Sequence, residues 1–385
     1  MELKLICNDR NIHKAIVKGR KILEIDSAVA GRAYNDLRLY DPCDNTYRSL
    51  MPELKNESIL PVYNCIWRSQ DIYFALLCRD ENSSGTIKIF RLYLENEKSE
   101  IVLSIPAADI LSDMNSILKV FILTDKYIVI QTETKKNADT DSLMGNIKFS
   151  QILYNITSGQ SSIVTDPNLV NNGINIIIPV STTHIVLKTG YSPIEDNRIN
   201  RENEEDALIE SVYYSSMSLF VSSLLRESAF AGDKMLGNAY FNKNILTPKV
   251  SGEFIIFTII DIKSRFAETV FYNFVSDTFF RCVNDNADIT DLDNAYVIDN
   301  IPYLRNTFRD RTEFFNVKNA ETDCIFYDEE FIDAKGKLFF FKCKEKGHEL
   351  LRIYKAPQLN LILQERCIFN CCCEDDDIYY IYLKK

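Results

Sequence analysis

A two-strand motif that recurs along the chain constrains the fold more than any other feature of the sequence. Its clearest copy is the stretch GKLFFFKCKEKGHELLRIY, residues 336–354. Phenylalanine and β-branched residues favour a pleated, half-buried surface, and the polar run that contains Gly347 supplies the reversal between the two strands. The most apolar strand of each copy begins at one of eight positions: Ile22, Ile72, Tyr127, Ile185, Phe254, Tyr296, Leu338 and Ile378. The steps between them are 50, 55, 58, 69, 42, 42 and 40 residues, so the chain is predicted to be an array of strand-only repeats.

The repeats extend to four strands each. Strands are predicted at residues 63–67, 72–78, 86–94 and 100–105 in the second repeat, and at 330–334, 337–343, 349–354 and 360–364 in the seventh. Four antiparallel strands and a fresh start, repeated along nearly the whole chain, resemble the blades of a β-propeller. The resemblance is architectural, because the signatures of the WD, kelch and YWTD repeats are absent. It implies an all-β fold: a single propeller domain over residues 1–385, with seven or eight four-stranded blades and long loop insertions at 134–147 and 191–206.

The two ends of the chain predict how the ring closes. The last repeat has only two strands, at 367–373 and 378–383, while residues 2–7 form a strand-like segment before the first repeat. An unpaired strand edge is an aggregation hazard, so both loose ends are resolved if they pair. We therefore predict that the N-terminal strand closes the ring on the C-terminal blade, with Leu3 and Ile6 beside the last strand.

Two regions fit the repeat poorly. Residues 207–227 follow an acidic run and carry apolar residues at both helical and strand spacing, so helix and strand remain open. The sixth repeat has Pro302 where a central strand is expected, which leaves seven or eight blades. An alternative organisation is two domains divided within residues 195–206, but it does not explain the matching repeats on either side.

Composition limits the partners. Lys and Arg number 44 against 55 Asp and Glu, a net charge of −11, which repels phosphate and predicts no nucleic acid partner. There are 11 cysteines, and the N-terminal residues contain no apolar stretch of signal-peptide length, so the thiols are expected to be reduced and the protein cytoplasmic. No uninterrupted run of about 18 apolar residues exists, so no membrane span is expected.

Motifs that carry chemistry are not evident. The three histidines lack zinc-site spacing, and GxSxG, GxGxxG and phosphate-loop patterns are absent. We therefore predict no catalytic residues, no metal and no cofactor. The cysteine cluster at 367–373 is interpreted as buried thiols, with a soft-metal site as the alternative; strand alternation puts Cys367, Cys371 and Cys373 on one face and Cys372 on the other.

Cations concentrate in the connections between second and third strands, which emerge on one face of an up-and-down propeller. Long loops on a rigid scaffold are common recognition sites, although charged loops are often merely solvated. The candidate partner-binding residues are Arg32, Arg79, Lys135, Arg198, Arg201, Arg265, Arg309 and Arg311.

From these features we predict a non-catalytic binding or scaffold module that recognises a protein or peptide through its loop-rich face, and more an interaction module than an enzyme. A structural subunit of a larger assembly is a related possibility. The alternative is a propeller enzyme acting on a glycan or other small polar substrate. Converging carboxylates in a deep pocket favour the enzyme, whereas a flat, cation-rimmed face with an exposed apolar patch favours the binding module.

Overall fold

The computed structural model describes most of the chain. The described residues are 1–8, 12–18, 21–26, 37–49, 58–59, 65–68, 71–79, 85–93, 95–96, 98–106, 117–135, 147–164, 176–189, 208–225, 230, 232–240, 243–261, 264–284, 294–375 and 378–384. Within them the chain forms 33 β-strands and one short helix, so the all-β prediction is confirmed.

The strands form eight sheets, which follow one another along the chain as the blades of a β-propeller. The chain begins with β1 (Glu2–Asn8). Blade 1 consists of β2 (Ile12–Lys18), β3 (Lys21–Asp26), β4 (Leu37–Asp41) and β5 (Thr46–Ser49). Blade 2 consists of β6 (Ser58–Ile59), β7 (Cys65–Arg68), β8 (Asp71–Arg79), β9 (Gly85–Tyr93) and β10 (Ser99–Pro106). Blade 3 consists of β11 (Ile117–Ile122), β12 (Tyr127–Lys135), β13 (Ile147–Asn155) and β14 (Ser161–Ile163).

The second half continues the same order. Blade 4 consists of β15 (Ile176–Pro179), β16 (His184–Thr189), β17 (Leu208–Ser216), helix α1 (Met217–Leu224) and β18 (Lys234–Tyr240). Blade 5 consists of β19 (Lys243–Ile245), β20 (Lys249–Ser251), β21 (Phe254–Asp261), β22 (Phe266–Asn273) and β23 (Thr278–Asn284). Blade 6 consists of β24 (Ala295–Ile298), β25 (Ile301–Thr307), β26 (Arg311–Asn316) and β27 (Glu321–Tyr327). Blade 7 consists of β28 (Glu330–Lys335), β29 (Leu338–Glu345), β30 (His348–Lys355) and β31 (Asn360–Glu365). Blade 8 consists of β32 (Ile368–Asp375), β33 (Ile378–Lys384) and β1.

The N-terminal strand closes the ring as predicted. Strand β1 pairs in parallel with β33, so that Leu3 lies opposite Tyr379 and Ile6 lies opposite Tyr382. Blade 8 has three strands among the described residues, in the order β1–β33–β32, whereas each of the other seven sheets fills four strand positions.

The hydrophobic core lies between successive blades rather than inside any one of them. Successive side chains of a strand point to opposite faces, so each central strand contributes to two neighbouring interfaces. On β12, Ile128 and Ile130 pack with Ile87 of blade 2, whereas Val129 packs with Leu187 of blade 4. Because each blade is covered on both faces by its neighbours, the ring is needed to bury these residues.

The structure resolves the two regions that the sequence left ambiguous, the sixth repeat with Pro302 and residues 207–227. Pro302 is the second residue of β25, next to a turn in which Asp299 and Asn300 have φ of 52° and 59°, so blade 6 is complete and the ring has eight blades. Residues 207–227 contain both alternatives, because β17 ends at Ser216 and α1 begins at Met217. The Ser216 side chain accepts a hydrogen bond from the Leu219 N–H, as an N-cap residue does.

In the described part of the chain, no helix has the length and apolar character to cross a membrane.

Candidate functional site

A cleft of about 730 Å³ opens between blades 6 and 7, and we call it the blade 6–7 cleft. One wall is the turn between β25 and β26, and the other is the connection between β27 and β28. Both emerge on the face that the topology predicts to carry the second-to-third connections. The lining residues are Arg305, Thr307, Phe308, Arg309, Asp310, Arg311, Thr312, Asp328, Glu329, Glu330 and Phe331.

Backbone hydrogen bonds fix the two walls relative to each other. The Phe308 N–H donates to the Arg311 carbonyl at 2.8 Å and closes the four-residue turn. The Asp328 N–H donates to the Asp310 carbonyl at 3.0 Å, which joins the connection to the turn. The cleft is therefore built on paired backbone from both walls.

Arg311 is fixed by charge and by an aromatic ring. Its Nε donates to Glu313 Oε1 at 2.6 Å and its Nη1 to Asp310 Oδ1 at 3.3 Å. The guanidinium lies 4.3 Å from the centre of the Phe308 ring, within the range of a cation–π contact. The hydrogen bond to Glu313 raises the pKa of Arg311. The charge of Arg311 is thus neutralised inside the protein.

Glu329 is held by blade 7. Its Oε1 accepts hydrogen bonds from Arg352 Nη1 at 2.6 Å and from the Tyr354 hydroxyl at 2.7 Å, and only 7% of its side chain is exposed. Burial raises the pKa of Tyr354 to about 12, and the hydrogen bond to Glu329 acts in the same direction. The Oε2 atom of Glu329 is buried and accepts no hydrogen bond from the described residues. Hydrogen bonds from blade 7 therefore fix the Oε1 atom of Glu329, whereas its Oε2 atom accepts none from the described residues.

Two charged residues of the cleft remain open. Arg309, at the tip of the β25–β26 turn, is exposed and forms no side-chain hydrogen bond or ion pair with any residue that the structure describes. The same holds, within the described residues, for the carboxylate of Asp328, whose backbone has φ of 57°. A cation and an anion thus face the cleft without a protein partner.

The predicted cationic residues are placed as follows. Arg32, Arg198 and Arg201 lie outside the described residues. Arg79 ends β8, Lys135 ends β12, and Arg265 lies exposed in the turn between β21 and β22. Arg309 and Arg311 line the cleft together. Binding of a partner by these eight residues stays a prediction.

Sequence reasoning missed Arg305, Asp328 and Glu329. Arg305 lies within β25, where its guanidinium is 5.2 Å from the centre of the Phe331 ring. Asp328 and Glu329 follow β27, the fourth strand of blade 6, whereas the candidate residues were taken only from the connections between second and third strands. A signal was present in the run DEEF, residues 328–331, which leads into the predicted strand at 330–334 and places acidic residues on the same face as the cationic turns.

Cys371, Cys372 and Cys373 lie on β32 and Cys367 directly precedes it, but one predicted assignment of faces is wrong. Cys371 and Cys373 pack toward blade 1, and Cys372 packs toward blade 7, as alternation requires. Cys367 packs with Cys372 instead of Cys371, because a β-bulge between Phe369 and Cys371 shifts the alternation by one residue. Among the described residues, no group of three or more His, Cys, Asp or Glu side chains is placed to hold a metal ion.

A buried ion pair within blade 4 is linked to blade 5 by a hydrogen bond. Lys188 Nζ lies 2.7 Å from Glu210 Oε1, and each side chain is 9% exposed. The other oxygen of Glu210 accepts a hydrogen bond from the Ile245 N–H on β19. Both charges are satisfied inside the protein, so this pair is assigned a structural role.

A second cavity, of about 580 Å³, lies on the opposite face. It is bounded by the β11–β12 turn, the β15–β16 turn and helix α1, and Leu225 at its rim is 56% exposed. Its charged lining residues are Asp125 and Lys126. It therefore offers fewer charged groups than the blade 6–7 cleft.

The chain is similar to two solved structures of peptidases. A prolyl endopeptidase structure matches with a TM-score of 0.49 and 7% sequence identity, over 94% of this chain and 52% of that chain. The dipeptidyl peptidase 4 of Porphyromonas gingivalis matches with a TM-score of 0.47 and 10% identity, over 95% of this chain and 63% of that chain. The present chain thus spans between half and two thirds of their length. No protein-family model matches the sequence, and no curated protein is similar to it.

One functional prediction is corrected by these comparisons. The sequence pattern favoured a non-catalytic binding or scaffold module over an enzyme, and the comparisons contradict that preference only to the extent that both matching solved structures are of peptidases. With identities of 7% and 10% and TM-scores of 0.49 and 0.47, the likeness transfers no peptidase activity, substrate or catalytic residue to this chain.

Proposed function

We propose that the chain is an enzyme that binds a small polar substrate, such as a glycan fragment or sugar derivative, in the blade 6–7 cleft. One observation carries the proposal: the carboxylates of Asp310, Asp328, Glu329 and Glu330 converge with three guanidinium groups on one cleft. Converging carboxylates are the feature that favours an enzyme over an interaction module on this scaffold. Carboxylates are also common general acids and bases.

The dimensions and the lining support a small ligand. A volume of about 730 Å³ lies within the range of roughly 300–1,000 Å³ that small-molecule sites occupy. Phe308, which is 45% exposed, offers an apolar surface beside the charged groups. A polar molecule with one apolar face, such as a sugar ring, matches both.

Glu329 has the most restricted position of the four carboxylates. Two hydrogen bonds from blade 7 fix one of its oxygens, and the surrounding protein excludes most solvent. A catalytic or substrate-orienting carboxylate needs such support, because a group that is held in place loses no further conformational freedom when it acts. We propose that Glu329 orients the substrate.

The test is a conversion assay on the full chain. Mixtures of oligosaccharides, sugar phosphates and amino sugars are incubated with the protein, and products are followed by mass spectrometry and proton NMR. We expect at least one class to be converted, and Arg309→Ala to lower kcat/KM about tenfold or more, as loss of a charged hydrogen bond does.

The matched control is Arg366→Ala, which removes an exposed arginine outside the cleft, in the connection between β31 and β32. It should leave kcat/KM unchanged. The proposal is overturned if no compound is bound or converted, or if the two arginine variants lose activity equally.

A further inference from the structure

We infer that the substrate of the blade 6–7 cleft is a small zwitterion, with an anionic group bound by Arg309 and a protonated amine bound by Asp328. This inference rests on the proposed function, and it adds the chemical class of the ligand. The observations that carry it are the pairing of charges around the cleft and the backbone that holds the unpaired charges apart.

Three charged residues of the cleft, Asp310, Arg311 and Glu329, are already paired within the protein. Arg311 is paired with Glu313 and Asp310, at 2.6 Å and 3.3 Å. Glu329 is paired with Arg352 at 2.6 Å. A ligand that bound to these paired atoms would have to compete with an existing ion pair. The pairs therefore shape the cleft and contribute little net attraction, while the Oε2 atom of Glu329, which accepts no hydrogen bond from the described residues, remains available to orient the ligand.

The charges that remain are of both signs. Arg309 supplies a cation, and Asp328 supplies an anion; neither has an ion-pair partner among the described residues. Glu330 adds a second, exposed carboxylate on the Asp328 side, within electrostatic reach of Lys342. The open part of the cleft is thus bipolar.

Backbone geometry keeps the two open charges in place. The Asp328 N–H is bonded to the carbonyl of Asp310, the residue that follows Arg309. The two side chains are therefore anchored on adjoining segments, yet they form no ion pair with each other. A ligand that carries both charges can satisfy both groups at once without breaking a protein contact.

Other classes of ligand fit less well. A simple dianion would meet Arg309 but would also face the carboxylates of Asp328 and Glu330, and like charges repel. A simple cation would meet Asp328 but would also face the like charge of Arg309. A neutral sugar can offer hydroxyl groups to both side chains, but it balances neither charge, so it gains less than a ligand that carries both charges. The exposed face of Phe308 accommodates the apolar side of the ligand.

The test compares three probes that differ only in charged groups: glucosamine 6-phosphate, glucose 6-phosphate and glucosamine. Calorimetric titration of the full chain at fixed ionic strength gives a Kd for each. We expect glucosamine 6-phosphate to bind at least tenfold more tightly than either probe that lacks one charge.

Two variants separate the charges. Asn tolerates a positive φ, so Asp328→Asn should preserve the backbone and remove only the charge. It should reduce affinity for glucosamine 6-phosphate about tenfold and leave the affinity for glucose 6-phosphate unchanged or higher. Arg309→Ala should weaken both phosphates and leave glucosamine unchanged. Asp44→Asn and Arg366→Ala, at exposed positions outside the cleft, are the charge-matched controls and should change nothing.

The outcomes distinguish the two proposals. If glucose 6-phosphate binds as tightly as glucosamine 6-phosphate and Arg309→Ala weakens it, the zwitterion inference is overturned while the cleft stands as the binding site. If neither cleft variant changes the affinity of any probe, or if no probe binds, the inference fails. The conversion assay on the wider mixtures then decides the proposed function separately.

Discussion

Burial raises the pKa of the thiols on β32 and so lowers their reactivity. The pKa of Cys371 rises to about 12, through burial first and the neighbouring charge of Glu24 second. Burial also raises the pKa of Cys373, which is 4% exposed. The thiolate is the reactive form, so a rise from 9.0 to about 12 lowers the reactive fraction near pH 8 by about a thousandfold.

We therefore predict selective alkylation of the folded protein. With iodoacetamide at pH 8, the exposed Cys7 and Cys43 should be modified within minutes, whereas Cys371 and Cys373 should react only after unfolding. Peptide mass spectrometry of the non-reduced protein reports both the labelling and any disulfide. Labelling of Cys371 as fast as Cys43 would contradict the buried assignment. Reproducible disulfide pairs would contradict the prediction of a cytoplasmic, reduced protein.

The cysteines also show what the sequence can predict about single residues. Strand alternation predicted the opposite faces of Cys371 and Cys372 correctly, because side chains in a regular strand have a period of two. It failed for Cys367, because the bulge before Cys371 adds a residue that no composition signal marks. The open charges of Arg309 and Asp328 were equally hidden, since pairing depends on which strands become neighbours.

At the scale of elements, the hairpins of blade 7 show how turn chemistry defines strand ends. Gly347, predicted to be in the reversal, follows Lys346 between β29 and β30, with φ of 80° and 51° respectively. Gly336, between β28 and β29, has φ of 55° and also lies against blade 8. An added Cβ at Gly336 would meet the Glu374 carboxylate and the Tyr379 hydroxyl, whereas one at Gly347 would meet nothing within 4 Å.

We predict that Gly336→Ala destabilises the protein more than Gly347→Ala. Both variants place an L-residue in the left-handed region, which costs about 1–2 kcal/mol. Only Gly336→Ala must also displace side chains of the next blade, which adds about 1–3 kcal/mol. Denaturant unfolding with matched m-values measures the difference. Equal losses in the two variants would show that the contact with blade 8 is not made.

Elements whose signals are local were predictable, and elements set by neighbouring blades were not. The four strands of blade 7 were predicted within two or three residues, because apolar alternation and turn residues act within one repeat. The sequence pattern predicts the first strand of blade 5 as one piece at residues 245–250, yet the structure splits it into β19 and β20. Pro248 lies just before β20 and lacks the N–H that a continuous strand would use. Helix α1 follows directly from β17, so a single assignment for that stretch could not succeed.

At the scale of the whole molecule, the ring depends on contacts between its two ends. Strand β1 pairs with β33, and beneath that ladder blades 8 and 1 are joined by buried polar groups. The Tyr382 hydroxyl donates to Glu24 Oε1 at 2.7 Å across 358 residues of sequence. Glu24 is 1% exposed, and its other oxygen accepts a hydrogen bond from Arg38 at 2.9 Å. The sequence predicted the strand pairing from its loose ends, but not this hydrogen bond, because nothing local relates Glu24 to Tyr382.

We predict that Tyr382→Phe destabilises the closed ring by about 1–3 kcal/mol, because it leaves a buried carboxylate oxygen without its donor. Glu24→Gln should destabilise it as well, since it removes the negative charge that pairs with Arg38. If the two residues act through one hydrogen bond, the double variant should lose less than the sum of the single variants, with a coupling of about 0.5–3 kcal/mol. Equilibrium denaturation of the four proteins gives the cycle.

The neighbouring Tyr380 provides the matched control. It lies two residues earlier on β33, packs in the same interface between blades 8 and 1, and is fully buried, but its hydroxyl has no hydrogen-bond partner among the described residues. Tyr380→Phe removes the same atom without breaking a bond, so it should be neutral or slightly stabilising. Similar losses for Tyr380→Phe and Tyr382→Phe would mean that the cost is one of packing alone. A near-zero coupling between Glu24 and Tyr382 would remove this hydrogen bond from the contacts that close the ring.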